Sequence, residues 1–430
     1  LEENSEINIK MVGKSHEIQT KVKLVSSRDL RLESFEYILR TGDSTASLRG
    51  RRVGDVMRVE KDQQAVTQSS DLTLPDSTLM GGTMIRLFAV SQGLPKAGEL
   101  KRLSTHMLEP TSLAVIPMQL ELKPRAGAAG QYDLTVEYHG QKMWNRITSK
   151  GELLEEKIVL PPQMEVLARP VSSQIYQSLN LSAASMDLVE ESRVEFPKLQ
   201  EARDLKSLRV KIEGIALDRF ELNRHRQSLD GNILTVSVEE IKEDSLPVQS
   251  LVGRSDLQSY LMGDIFVPVQ HPLIQKTAME IVGSENDLWK RAKLVNEFVF
   301  NSIKKAPYIS LPDAIETLTT RQGDCNEHAA LFTALARAAG IPTRMVVGLV
   351  HSNTSMTSAL TGRPLEKPGF YYHAWVEVFN GNRWISMDPT WNQVPAGAAH
   401  IAFVEGASDQ QIQLVGLVGN LRLSLVSQVR

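Results

Sequence analysis

The sequence predicts a multidomain protein in which a β-rich, antiparallel N-terminal region is followed by an α+β C-terminal domain. Three observations carry that reading. The chain has 430 residues, more than one hydrophobic core ordinarily spans, so two or three domains are expected. Alternation of apolar and polar residues recurs along the chain to about residue 245, the pattern of half-buried strands. Beyond that point apolar residues fall at spacings of three and four, as in helices, and the chain's only cysteine, Cys325, appears among them.

The strands come first. "HEIQTKVKLV" sets Ile18, Thr20, Val22 and Leu24 against Gln19, Lys21 and Lys23, and "QYDLTVEYHG" does the same with Tyr132, Leu134, Val136 and Tyr138. Turn-forming stretches such as "RTGDS" and "RAGAAG" separate such runs. A second alternating pair, "SLRVKIEGIAL" and "DGNILTVSVEE", reads as a smaller β unit. The expected boundaries are therefore 1–165 for an antiparallel sheet domain, 166–245 for the small β unit and 246–430 for the α+β domain. In the last, helices are expected at Pro272–Val282 and Asn286–Ile303, with Asn286 or Asp287 as N-cap of the second, and a short one at "DAIETLTT". A longer helix then starts near Cys325 and stops at Gly340, Ile341 and Pro342.

Composition narrows the function. Hydrophobic residues at 42%, charged residues at 23% and a net charge of -3 are ordinary globular values and give no reason to expect a nucleic-acid partner. No apolar run reaches the roughly eighteen residues of a membrane span; the richest, "HAALFTALARAAGIP", is interrupted by His328, Arg337 and Pro342. The opening "LEENSEINIK" is polar and acidic, unlike a secretory signal. One cysteine excludes an internal disulfide and a cysteine-rich zinc site. A lone retained thiol suits an exported bacterial protein, so a periplasmic or cell-surface location is expected, with the cytoplasm left open.

A thiol at the start of a helix sits among backbone N–H groups at the positive end of the helix dipole, which favours thiolate and offers donors to an oxyanion. A lone cysteine is more often a small buried hydrophobe, but such a residue belongs in "AALFTALA" rather than in the polar "GDCNEH" before it. A zinc set of Cys325 with His328, His351 or His400 lacks any recognisable spacing, and no metal or other cofactor is expected.

The second informative stretch is "FYYHAWVEVFNGNRWISMDPTW", two strand-like runs joined at Asn380-Gly381, a strong hairpin signal. A two-residue turn there pairs Phe379 with Asn382 and His373 with Asp388, whose Cα atoms would lie about 4.5 to 5.5 Å apart with side chains on one face. Cys325 would then be the nucleophile, His373 the proton carrier and Asp388 the group that fixes the imidazole. Tyr371, Tyr372 and Trp391 lie near enough in sequence to line a cleft. The polar loop 351–369 reads either as a lid or substrate wall or as a surface excursion.

"GDCNEHAALFTALARAAGIPTRMVVG", "YYHAWVEVF" and "RWISMDPTW" together resemble the core of the bacterial transglutaminase-like superfamily, densely over about 310–406. The resemblance implies a papain-like fold for the C-terminal domain, Cys325, His373 and Asp388 as a catalytic triad, and a thioester acyl-enzyme formed on a protein, peptide or cell-wall peptide. It leaves open a cysteine peptidase or amidase against a transglutaminase. No acidic loop of EF-hand type supports calcium dependence. The alternative from another class is a non-enzymatic binding or scaffold protein that uses the domain as a platform.

Overall fold

The computed structural model describes every residue except 1, 12–13, 42–43, 64–65, 111–112, 139–140, 161–163, 172–192, 242–244, 265, 307–312, 354–366, 407–416 and 418. The chain divides into two units, Leu1–Met186 and Asp187–Arg430.

The N-terminal unit is built from strands joined mostly to their immediate neighbours. β1 (Glu2–Met11), β2 (Lys14–Ser26), β3 (Leu32–Thr41), β4 (Ser44–Val53), β5 (Val56–Gln63) and β6 (Val66–Thr73) form a six-stranded antiparallel sheet in chain order. β7 (Thr78–Leu79), β8 (Lys101–Glu109), β9 (Ala114–Pro124), β10 (Gln131–Tyr138), β11 (Gln141–Thr148), β12 (Leu153–Leu160) and β13 (Met164–Ala168) form a second sheet. Of the residues expected to face inward, Leu24, Leu134 and Val136 are buried while Thr20, Val22, Tyr132 and Tyr138 are half-buried; β9 shows the alternation more fully, with Ile116, Met118, Leu120 and Leu122 buried. One helix, α1 (Gly81–Ser91), was not expected; its N-cap Met80 provides no side-chain cap, so the usual start signal is missing from the sequence. It buries Met84, Ile85 and Ala89 and lies in the crossover between β7 and β8, which run parallel and so need such a connection.

The C-terminal unit begins with β14 (Val194–Glu195), β15 (Ser207–Glu213), β16 (Gln227–Asp230) and β17 (Ile233–Ser237). Helices α2 (Pro272–Val282) and α3 (Leu288–Ser302) follow where the apolar spacing placed them, the second capped by Asp287. Then come β18 (Lys304–Lys305), α4 (Ala314–Thr320), β19 (Gln322–Gly323), α5 (Cys325–Ala338) and β20 (Thr343–Ser352). β21 (Gly369–Phe379), β22 (Trp384–Met387), β23 (His400–Glu405) and β24 (Arg422–Val429) complete the unit. The main sheet has the order β14-β21-β20-β23, with β22 also on β21. Helix α5 packs against β20 and β21 and against α2, α3 and α4. It is buried almost all round, from Cys325 through Leu335, which is why its sequence is dominated by alanine and leucine rather than by one apolar stripe.

The expected three-way division is corrected here. The segment 166–245 is not an independent unit: β15 pairs β17 on one edge and β24 on the other, so strands from both ends of the C-terminal unit share one sheet. Gln227 ties that sheet to β23, its amide accepting from Ala402 N at 2.6 Å and donating to Ala402 O at 3.0 Å. The unit boundary therefore lies at 186/187 rather than at 165 and 245.

Candidate active site

Cys325 is the first residue of α5, as its setting in the sequence implied. Asp324 is the N-cap: its Oδ1 accepts from Asn326 N at 2.8 Å, while Glu327 Oε2 accepts from Asp324 N at 2.9 Å, completing a capping box. His328 donates from Nδ1 to Asp324 O at 2.6 Å. The expected thiolate is not what this structure favours. Cys325 is fully buried, and burial pushes its thiol well above the ordinary range; the Asp324 charge acts in the same direction, and a hydrogen bond from Ala374 N–H to the sulfur opposes them. The Asp324 carboxylate that caps the helix offsets its dipole at the sulfur. Asp324 and Glu327 are themselves buried and hydrogen-bonded to each other. Burial raises both, Glu327 the more, so Glu327 carries a proton that Asp324 accepts.

The hairpin differs from the expected one by two residues. Phe379 pairs with Trp384 rather than Asn382, and Val376 with Met387, because Asn380 Oδ1 accepts from both Asn382 N and Arg383 N and organises a wider loop. A shift of two keeps each side chain on its face. Asp388, just beyond β22, still reaches His373: Nε2 donates to Oδ2 at 2.9 Å, with both residues buried. Oδ1 of the same carboxylate accepts from Thr390 N at 2.9 Å and Trp391 N at 3.2 Å. Burial alone would raise the Asp388 carboxyl, but His373 and a second imidazole, His400, hold it far below the carboxylate range. His400 Nε2 lies 3.0 Å from the same Oδ2. Reciprocal backbone bonds between Asp388 and Gln393 close the intervening loop and lay Trp391 on His373, with ring centroids 4.5 Å apart and planes 17° from parallel. His373 uses Nε2 on Asp388, which leaves Nδ1 for chemistry. The Ala374 N–H that holds the Cys325 sulfur belongs to the next residue.

The family model described as the transglutaminase-like superfamily matches residues 275–389, a span that contains Cys325, His373 and Asp388. Residues 275–389 are a transglutaminase-like core domain. A curated relative, the protein-glutamine gamma-glutamyltransferase of Pseudomonas aeruginosa, is 38% identical over 77 residues, which cover 18% of this chain and 11% of that protein. The match thus spans about a tenth of the relative's length. Among solved structures, one described as a candidate cysteine protease from Cytophaga hutchinsonii is 16% identical with a TM-score of 0.32, covering 52% of this chain and 86% of the other. A second, described as a candidate protease from Parabacteroides distasonis, is 9% identical with a TM-score of 0.21 and covers 85% of this chain and 68% of the other.

Of the three residues expected from the sequence, His373 and Asp388 are hydrogen-bonded to each other and the Cys325 sulfur accepts from the N–H of Ala374, next to His373; other residues of the site were not expected. Trp391 was noted only as near; its stacking on His373 emerges once the 388–393 loop is closed. Tyr372 lies beside the helix start, its hydroxyl donating to Asn326 Oδ1 at 3.1 Å, whereas Tyr371 donates to Lys367 O. The zinc set considered from sequence is not assembled: His351 donates from Nε2 to Pro197 O, and His328 is committed to Asp324 O. The ligating atoms that do converge are those of His373, Asp388 and His400, within 4.8 Å of one another. His373 Nε2 and His400 Nε2 are both hydrogen-bonded to Asp388 Oδ2, at 2.9 and 3.0 Å. Most of the 351–369 loop lies outside the described residues. Among the described residues no helix is long and apolar enough to cross a membrane.

Proposed function

We propose that the protein is a thiol acyl-transfer enzyme in which Cys325, His373 and Asp388 form a triad acting on peptide or amide bonds. The observation that carries the reading is the pairing of His373 with a buried, ionised Asp388 while the neighbouring Ala374 N–H holds the Cys325 sulfur. In the first step His373 Nδ1 takes the thiol proton as sulfur bonds to the substrate carbonyl carbon, whose oxygen becomes an oxyanion. The Cys325 N–H, in the first turn of α5 where intrahelical acceptors are lacking, is the donor assigned to it. The C–N bond then breaks, the departing amine takes the proton back from His373, and a thioester remains. Water or a second amine then attacks the thioester carbon while His373 takes its proton; the C–S bond breaks, the Cys325 sulfur takes that proton back, and the acid or new amide leaves. The high proton affinity of the buried thiol places deprotonation within the attack rather than before it. The curated relative's name points to the amine as acceptor.

Full burial of Cys325 also favours a second reading, a non-enzymatic platform whose sulfur never meets substrate. One experiment separates them. With p-nitrophenyl acetate as acyl donor, an enzyme accumulates acetyl on Cys325, detected by mass spectrometry, and His373→Ala slows its formation about a hundredfold or more. Adding methylamine then shows whether amine or water resolves the thioester. An unlabelled Cys325 in folded protein, or a rate indifferent to His373, removes the enzymatic reading and leaves the platform.

A further inference from the structure

We propose that His400 is a positioning residue of this site, a second imidazole that pins the Asp388 carboxylate so that His373 keeps one tautomer and one orientation. The inference rests on the reading of Cys325, His373 and Asp388 as the reacting group, but His400 lies outside the residues matched to the family, 275–389.

The argument starts from Asp388 Oδ2, which meets two imidazole nitrogens, His373 Nε2 at 2.9 Å and His400 Nε2 at 3.0 Å. An ionised carboxylate only accepts, so each ring must carry its proton on Nε2. Burial lowers the proton affinity of His400, and His373 and Arg226 act the same way, outweighing the pull of Asp388; the ring is neutral and has a single N–H to give. It gives that proton to Asp388. Its other nitrogen, Nδ1, is buried and has no hydrogen-bond partner among the described residues, so the carboxylate is the polar group that sets the ring's orientation.

The ring is also held mechanically. His400 opens β23, pairs with Val350 of β20, and its ring meets the Trp375 ring edge-on at 5.2 Å. Arg226, beside it, is engaged with Gly397 O and Glu239. Because Thr390 N and Trp391 N hold Oδ1, the two imidazoles complete a set of four donors around one carboxylate. Rotating Asp388 would disturb all four. Asp388 therefore fixes the Nε2–H tautomer of His373 and leaves the Nδ1 lone pair as the only site on that ring able to accept a proton.

The test compares two replacements by the rate of Cys325 acetylation with p-nitrophenyl acetate. His400→Leu removes the donor and is expected to slow acetylation about tenfold or more. In His400→Gln the side-chain amide reaches the position of Nε2 and can still donate, so it should recover most of the rate. A residue that merely fills space would not separate the two. Independently of any variant, nitrogen-15 NMR of histidine-labelled wild type should place the His400 proton on Nε2 and none on Nδ1. Wild-type rates in the leucine variant, equal losses in both variants, or a proton on His400 Nδ1 would each overturn the proposal. If wild-type Cys325 takes no acetyl group at all, the enzymatic reading fails, and the His400 tautomer still decides whether the pin exists.

Discussion

Two groups of buried acids lie within the C-terminal unit, one at the start of α5 and one along β21, and they are stabilised in opposite ways. At the helix start Asp324 and Glu327 have backbone donors and each other, and burial raises both. Along β21, Glu377 is fully buried between Arg224 at 3.2 Å and Arg344 at 2.7 Å; burial would raise it too, but the two guanidinium groups hold it low. Glu405 takes the other side of the same arginines, and Glu239, beside Arg226 and His225, is lowered to about 2. The difference teaches that burial alone does not fix a carboxyl's charge. The cluster on β21 is ionised and built to hold segments together, whereas the helix start shares a proton and keeps negative charge near the sulfur low.

The largest effect should come from unpairing the cluster. Arg344→Met leaves Glu377 buried against one guanidinium fewer and should cost about 3–5 kcal/mol. Urea unfolding followed by tryptophan fluorescence would read it, since Trp289, Trp375, Trp384 and Trp391 all lie in this unit. A loss under about 1 kcal/mol would remove the contrast with exposed pairs.

The next effect has opposite signs for the two groups of acids. Glu239 has a folded pKa of about 2, below the unfolded value of about 4.3, so its contribution is full above that value and lost as pH falls through about 2, by about 1.4 kcal/mol per unit. Glu327 is raised, so its contribution is full below about 4.3 and lost as pH rises through its folded value. Glu327→Gln, whose amide can accept from Asp324 N and donate to its carboxylate, should flatten the loss of stability as pH rises above about 4.3 and leave the loss at lower pH alone. An unchanged loss on raising the pH would mean that no proton is shared there.

The smallest effect is expected in the other unit. Arg58 and Asp71, on neighbouring strands β5 and β6, form a two-bond pair 57% and 51% exposed. Arg58→Met should leave the unfolding midpoint of that unit where it was, because solvent already stabilises both charges.

How much of this was legible in the sequence depends on distance along the chain. The helices of the C-terminal unit and the Asp287 cap follow from local chemistry and were readable, whereas α1 was not. The residue types Cys325, His373 and Asp388 were readable too. The hairpin register was not, because tertiary contacts select the turn: Leu246 N and Ser245 Oγ both donate to Asn380 O, and Leu246 packs on Gly381. The His–Asp pairing survived because the error was even. Nothing local announced His400, which reaches Asp388 only after the chain has turned through a loop and entered another strand. The acid clusters were equally hidden; Arg224 and Glu377 are charged residues that a sequence assigns to solvent until folding places them side by side.

The pairing of β24 with β15 has a temporal consequence. Ser207 meets Val429, so one edge of the small sheet must wait for residues made more than two hundred positions later. During synthesis the β15 backbone on that side stays uncovered, a template for any passing strand, while the helices of the same unit can already form from nearby contacts. The segment bearing Cys325, His373 and Asp388 emerges from the ribosome before β24, so this edge of the sheet can close only after Arg422–Val429 has been made.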